Sequence, residues 1–296
     1  TGTSYLKYPD MKYETRFDHS IGSYYLICKI IEDIERKLDL QGIKIREDEK
    51  EMAKSEMLLH DIGHGAYSHT LEKITGYSHE KRSIDIVEDE NTQIHQILKK
   101  YYGEEFTKKV GDFLENVYEY KKQENKSHSI KIKNNRVSLK DLLASFVSNN
   151  IDADRLDYLV RDSKKAGYKI LTEVDKLIES FEFVLDVDKI IVAIPEEKRN
   201  FLDMAILERA RNYKEIYFCE PSVIGDHVLD FLLEEIRNNK NDLPNTINPI
   251  LYRFLTNSKA DFTTEEYMQI VETPMKKALE SIRNNTKNEK LKKLCD

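Results

Sequence analysis

Apolar residues recur every three or four positions along most of this chain, and that spacing confines it to a helical architecture. Between residues 17 and 38, Phe17, Ile21, Tyr24, Tyr25, Cys28, Ile31, Ile34 and Leu38 form one stripe of this kind, the side of a helix that packs into a core. Helical spacing continues over 48–61, 91–101, 104–120, 152–166, 198–219 and 222–237, and two or three shorter helices fill 247–296. Ser78 starts a helix through Val87, with Lys81 where a capping box would place Glu. Ser138 is placed to cap a helix over Leu139–Asn149. One segment breaks the pattern. Phe181-Glu182-Phe183-Val184-Leu185 and Ile190-Ile191-Val192-Ala193-Ile194 flank a polar turn and stop at Pro195, which predicts a β-hairpin over 181–194. Residues 121–136 are Lys- and Asn-rich and short of apolar anchors; they read as an exposed loop or hairpin.

The chemistry concentrates at His60-Asp61, which closes the apolar run Met57-Leu58-Leu59 and precedes Ile62-Gly63-His64-Gly65. Neighbouring side chains on a regular helix point about 100° apart. One metal held by adjacent His and Asp therefore needs the chain to change direction, which Gly63 and Gly65 permit. Further candidate ligands are His19, Asp152 and Asp154, distant in sequence. On one helix Asp152 and Asp154 lie about 200° apart, so only one can face a given ion. Neutral imidazole with carboxylate suits Zn, Mn, Fe, Co or Ni better than Ca. A hydrogen-bonded helix end is the simpler explanation of a lone His-Asp pair, but six of the eight histidines fall between residues 19 and 95.

Composition bounds the partners. A chain of 296 residues is long enough for one or two domains. Its net charge of −7 and pI near 5.7 give no bulk attraction to nucleic acid. Cys28, Cys219 and Cys295 have no paired spacing, which suits a reduced, cytoplasmic protein. No apolar run approaches the ~20 residues that span a bilayer. No signal peptide is evident, and the chain does not open on Met.

Three ordered motifs carry a resemblance: Arg16-Phe17-Asp18-His19-Ser20-Ile21-Gly22, then Leu59-His60-Asp61-Ile62-Gly63-His64-Gly65-Ala66-Tyr67-Ser68-His69, then Asp152-Ala153-Asp154-Arg155-Leu156-Asp157-Tyr158-Leu159-Val160-Arg161-Asp162. From about residue 3 to about 235 the chain resembles the HD-domain phosphohydrolases, and among them the deoxynucleoside triphosphate triphosphohydrolases. The resemblance implies an all-α HD-domain fold carrying the small hairpin. It would divide into a metal-dependent phosphohydrolase core over 1–170 and a helical part over 171–296 that completes the substrate groove, the two being one continuous domain. It implies His19, His60, Asp61 and Asp154 as ligands of a divalent transition metal (Mn, Fe, Zn, Co or Ni), with Mg as a further ion on the substrate phosphates. Asp152 then becomes a helix cap or a support to the ligands.

By the same resemblance His64 and His79 are proton donors and phosphate contacts, and Arg16 is a phosphate clamp on the face of His19. His69 either joins them or buttresses its loop. Arg155, Tyr158 and Asp162 would meet phosphate and sugar. Arg209, Tyr213 and Tyr217, four residues apart, would wall the groove, since three polar tips make a poor core stripe. The family often has His at the position of Tyr213. Family members also carry a Gln-Leu-Gly run ahead of the segment matching Thr3–Pro9, whose Gln helps recognise the sugar. This chain opens at Thr1-Gly2, so either the native protein is longer or this member differs. The implied reaction is cleavage of a dNTP to deoxynucleoside and tripolyphosphate by a homo-oligomer, dimer or tetramer. Alternatives are another HD phosphohydrolase acting on a nucleoside monophosphate or other phosphoester, and a nucleotide-binding regulatory module without activity.

Overall fold

The computed structural model describes residues 4–13, 15–69, 72, 76–122, 129–133, 136–137, 152–186, 189–257 and 261–295. Thirteen α-helices account for most of the described residues, the all-α architecture that the periodicity predicts. The helices are α1 (Arg16–Asp39), α2 (Glu47–Leu59), α3 (His79–Glu88), α4 (Gln93–Tyr102), α5 (Glu104–Lys122), α6 (Ala153–Lys165), α7 (Val174–Ser180), α8 (Arg199–Asn212), α9 (Glu220–Asn238), α10 (Pro249–Thr256), α11 (Thr264–Tyr267), α12 (Glu272–Asn285) and α13 (Glu289–Leu294). The expected cap at Ser138 and helix Leu139–Asn149 lie outside the described residues.

Helix α1 is the spine. It packs on α2 and α6, and Leu26, Ile27, Ile30, Ile31, Ile34 and Leu38 enter a core shared with α2, α5, α6, α7 and α8. Each such side chain contributes about 1.5–3 kcal/mol relative to exposure. The first turns of α1 differ from the predicted stripe: Phe17, Ile21 and Tyr25 are exposed. The core side chains of the helix begin only at Leu26, because its N-terminal turns carry Arg16 and His19 toward the site.

The hairpin forms as predicted, from β3 (Glu182–Asp186) and β4 (Lys189–Ala193), with Phe183 opposite Val192 and Asp186 opposite Lys189. It does not stand alone. A second hairpin, β1 (Ser129–Lys133) and β2 (Arg136–Val137), adds β1 to β4 in the order β2-β1-β4-β3. Part of the polar stretch 121–136 is therefore paired backbone, through Ser129–Ile191 and Ile130–Ile190.

The helix expected over 198–219 ends at Asn212 and continues as a π-turn, Tyr213–Tyr217. A separate apolar cluster holds α9 to α13 together, and it takes in Ala66 and Tyr67 from the turn after His60-Asp61. A third cluster joins α2, α3, α4 and α5 through Met52, Leu59, Ile84, Val87, Leu98, Val110 and Leu114.

Candidate metal centre and active site

A capping box fixes the first turn of α1. Thr15 Oγ1 accepts from the Asp18 amide at 3.1 Å, and Asp18 Oδ2 accepts from the Thr15 amide at 3.2 Å. With the turn set, Arg16 and His19 share a face. Asp18 is thus spent on the cap, and Arg16 turns instead to Asp61 Oδ2 at 2.7 Å and to Ser68 Oγ.

The second contribution comes from the end of α2. His60 still donates its amide to Glu56 at 2.7 Å, after which the chain turns. Gly63 makes the turn possible by close approach: a Cβ there would lie 2.1 Å from the His79 carbonyl oxygen and 2.4 Å from the Ser83 amide. Ser83 ties the turn to α3, accepting from the Gly63 amide at 2.9 Å and donating to the His60 carbonyl at 2.7 Å. The left-handed residues are Tyr67 and Ser68, at φ 58° and 53°, not the glycines. Their conformation is one that non-glycine residues hold only when the surroundings impose it. Here Tyr67 sits in the C-terminal core and Ser68 receives Arg16.

Asp152 caps α6, accepting from the Arg155 amide at 2.7 Å, and so places Asp154 on the first turn. Four candidate ligands then converge. His19 Nε2 lies 3.0 Å from Asp154 Oδ1 and 3.7 Å from Asp61 Oδ2. His60 Nε2 lies 3.4 Å from Asp61 Oδ1 and 3.5 Å from Asp154 Oδ1. Donor atoms about 2.0–2.2 Å from one ion stand roughly 3.0–3.5 Å from one another; the spacings among His19, His60 and Asp154 fit one ion, whereas Asp61 borders that set through both oxygens, Oδ2 toward His19 and Oδ1 toward His60.

The tautomers fit as well. His60 Nδ1 donates to the Met57 carbonyl at 2.9 Å and His19 Nδ1 donates to Asp157 Oδ2 at 2.8 Å, which leaves both Nε2 lone pairs inward. His60 Nε2 is buried and makes no hydrogen bond. Burial disfavours the imidazolium of both rings, yet the surrounding carboxylates outweigh it and raise His19 to about 9 and His60 to about 10. Burial likewise opposes ionisation of Asp61 and Asp154, but the histidines hold both well below the usual carboxylate range. The pocket is built for positive charge.

Against this centre lies a second cluster of His64, His69, Glu72 and His79, whose ligand-type atoms fall within 4.8 Å of one another. Glu72 organises it, accepting from His79 Nδ1 at 2.5 Å, the His79 amide at 2.9 Å and His69 Nδ1 at 2.9 Å. Burial works against the Glu72 carboxylate, but His69 and His79 hold it well below its ordinary range. His64 stacks on His79 at 3.7 Å between ring centres and 10° between planes. A metal lies close to the plane of an imidazole it binds, so one ion cannot serve two parallel rings. The arrangement instead suits proton handling: a carboxylate fixes the His79 tautomer, and the Nε2 atoms of His64 and His79 stand 3.5 and 3.8 Å from Asp61 Oδ1. Burial, with Arg16 nearby, pushes His64 down to about 3 despite Asp61.

A line of rings extends the site. His19 neighbours Tyr158 at 6.5 Å, Tyr158 neighbours Tyr217 at 6.1 Å, and Tyr217 neighbours Tyr213 at 5.4 Å. The Arg209 guanidinium lies 5.5 Å over the Tyr213 ring. Arg155 pairs with Asp152 at 2.6 Å. Asp162 is buried and accepts from the Tyr217 hydroxyl at 2.8 Å, so it holds Tyr217 in place. His69 is largely exposed and buttresses Glu72. Sequence reasoning passed over Asp157 and Glu72, although each stands three residues from a singled-out side chain, one helical turn away.

Residues 16–159 match the family model for the HD domain. An uncharacterized protein of Methanocaldococcus jannaschii is 28% identical over 250 residues, 84% of this chain and 45% of its own length. The deoxynucleoside triphosphate triphosphohydrolase SAMHD1 homolog of Dictyostelium discoideum is 28% identical over 192 residues, 62% of this chain and 33% of its own length. The chain spans about half the length of the first of the curated relatives it matches. A crystal structure of a phosphohydrolase from Bacteroides thetaiotaomicron superposes with a TM-score of 0.72 at 24% identity, covering 99% of this chain and 67% of that one, a likeness of fold. With its motifs converging on a single centre inside the matched region, residues 16–159 of this chain are an HD domain.

Proposed function

We propose that this chain hydrolyses deoxynucleoside triphosphates at the α-phosphorus, giving deoxynucleoside and tripolyphosphate. The observation that carries the reading is Asp61, whose Oδ1 stands 3.4 Å from His60 in one cluster and 3.5 Å from His64 in the other. His19, His60, Asp61 and Asp154 would hold a divalent transition ion, which would supply positive charge for the phosphoryl oxygens and acidify water there. The residues do the rest. Water attacks phosphorus, the bond to the 5′-oxygen breaks, and His79 gives its Nε2 proton to that oxygen while Glu72 holds Nδ1. The proton released by water restores His79. His64 braces the ring of His79 and contacts phosphate. Arg16 and Arg155 answer the phosphate charge, and Tyr158, Arg209, Tyr213 and Tyr217, the last held by Asp162, form the wall toward phosphate and sugar.

The dNTP is supported by the triphosphohydrolases among the relatives. One continuous domain is supported by the core around α1, which runs from Leu26 to Ala205, and by the C-terminal core, which takes in Ala66 and Tyr67. We further infer a homo-oligomer, and a cytoplasmic setting from the three free cysteines. Among the described residues no helix is long and apolar enough to cross a membrane.

Phosphorus NMR of a dGTP reaction with Mn tests the function. A tripolyphosphate signal matched by deoxyguanosine is expected. Orthophosphate with dGDP, or turnover of monophosphates alone, would move the chain to another phosphoester of the same superfamily.

A further inference from the structure

His19 can turn Nε2 toward Asp61 and Asp154 only while Nδ1 keeps its proton and the ring keeps its plane. Asp157 holds both, its Oδ2 being 2.8 Å from His19 Nδ1. Asp157 is itself held. Arg161, one turn along α6, donates Nε to Oδ2 at 3.0 Å and Nη2 to Oδ1 at 2.9 Å. The same Nη2 reaches across to the Asp18 carbonyl of α1 at 3.0 Å. A carboxylate gripped at both oxygens cannot rotate about its own axis.

The opposing helix is shaped for this grip. Gly22, one turn after His19, leaves a notch in α1: a Cβ there would fall 1.9 Å from Asp157 Oδ1 and 2.4 Å from Arg161 Nη2. An ordinary pair four residues apart on a helix surface contributes little and asks nothing of a neighbouring helix. This pair occupies a recess in α1 and ends on an imidazole 138 positions away in sequence. Arg161 also borders a cleft of about 620 Å³ with Tyr13, Tyr25 and Lys164, so its side chain can be shortened without opening a hole in the core.

We propose that Asp157, clamped by Arg161 in the notch at Gly22, is a positioning residue that sets the tautomer and plane of His19 and thereby the metal affinity of the site. This rests on His19 being a metal ligand. Titration calorimetry of Mn into metal-stripped protein tests it, with His19→Ala as control. Asp157→Ala is expected to weaken binding ~10–100-fold, the usual effect of removing a carboxylate behind a ligating imidazole. Asp157→Asn, whose amide oxygen still accepts from Nδ1, should recover part of the loss. Arg161→Ala should weaken binding less, and Arg161→Lys should restore part of that because one ammonium cannot grip both oxygens. Nitrogen NMR of the Zn-loaded protein supplies a second readout: wild-type His19 should carry its proton on Nδ1, and Asp157→Ala should broaden or shift that signal. The Asp157→Asn and Arg161→Lys substitutions nearly keep the volume of the wild-type side chains, so the comparison survives if an alanine variant fails to fold. Wild-type affinity and an unchanged His19 signal in Asp157→Ala would overturn the proposal. Wild-type protein that binds no Mn, like His19→Ala, would overturn the metal centre itself, and a metal-binding wild type separates the two failures.

Discussion

Asp61 works with both of its oxygens. Oδ2 takes Arg16 at 2.7 Å and faces His19, while Oδ1 faces His60, His64 and His79. Replacing Asp61 or His60 by Ala should abolish bound transition metal and turnover while leaving the helical circular dichroism in place. Elemental analysis with an activity assay checks this. Full metal in both variants would remove these residues from the centre. His64 makes a separate prediction. Its pKa is pushed from 6.5 down to about 3 by burial, so between those values the unfolded chain binds a proton that the fold rejects, and stability must rise with pH. The raised His19 and His60 add their own dependence above 6.5, where stability falls as they deprotonate toward about 9 and about 10. Metal-free protein should therefore lose stability as pH falls from 6.5 toward ~5.5, before the carboxylates of the unfolded chain begin to bind protons, and His64→Gln should flatten that slope. Urea midpoints across the window decide it, equal slopes counting against a buried neutral His64. Residues such as His60 and Asp154 could be singled out from sequence because they sit in motifs. Asp157 sits in the third motif and Glu72 three residues after His69, yet an acid one turn from a candidate ligand looks like any helix-surface carboxylate until another element arrives against it.

At the level of elements, the helices were visible because helical periodicity is local. Helix α1 begins one residue earlier and ends one later than the stripe over 17–38, and the hairpin keeps its place because Pro195 and the polar turn bound it. What escaped was non-local. Ser129 pairs with Ile191, and no local pattern announces that pairing. The π-turn at Tyr213–Tyr217 and the exposure of Phe17, Ile21 and Tyr25 likewise depend on what packs nearby. The turn between α2 and α3 gives the sharpest element-scale prediction. Gly63→Ala would drive a methyl into the backbone of His79, Arg82 and Ser83, where no flexible side chain can yield. A loss of about 3 kcal/mol is expected, read as a lower urea midpoint. A change within experimental error would show that α3 can draw back at no cost.

At the scale of the molecule, self-association is the property to measure. Closed symmetric oligomers are the commonest kind, and we expect light scattering to give a mass above the 34.8 kDa of one chain. A monomer mass with and without dNTP would refute it. The C-terminal helices already serve the site within one chain. The Tyr267 hydroxyl donates to the Gly63 carbonyl at 3.0 Å, and the Ala66 amide donates to the Ile270 carbonyl at 3.0 Å. Arg82 lies between the rings of Tyr77 and Tyr267, at 4.4 and 4.8 Å. These clasps have a consequence for the order of synthesis. The ribosome releases the histidines and acids of the site, through Asp154, well before Ile270. A nascent chain paused between those points owns every candidate metal ligand, but the bend that aims two of them still lacks its last partners. In the order of synthesis, the bend that carries His60 and Asp61 is therefore completed last, by helices that contribute no candidate ligand.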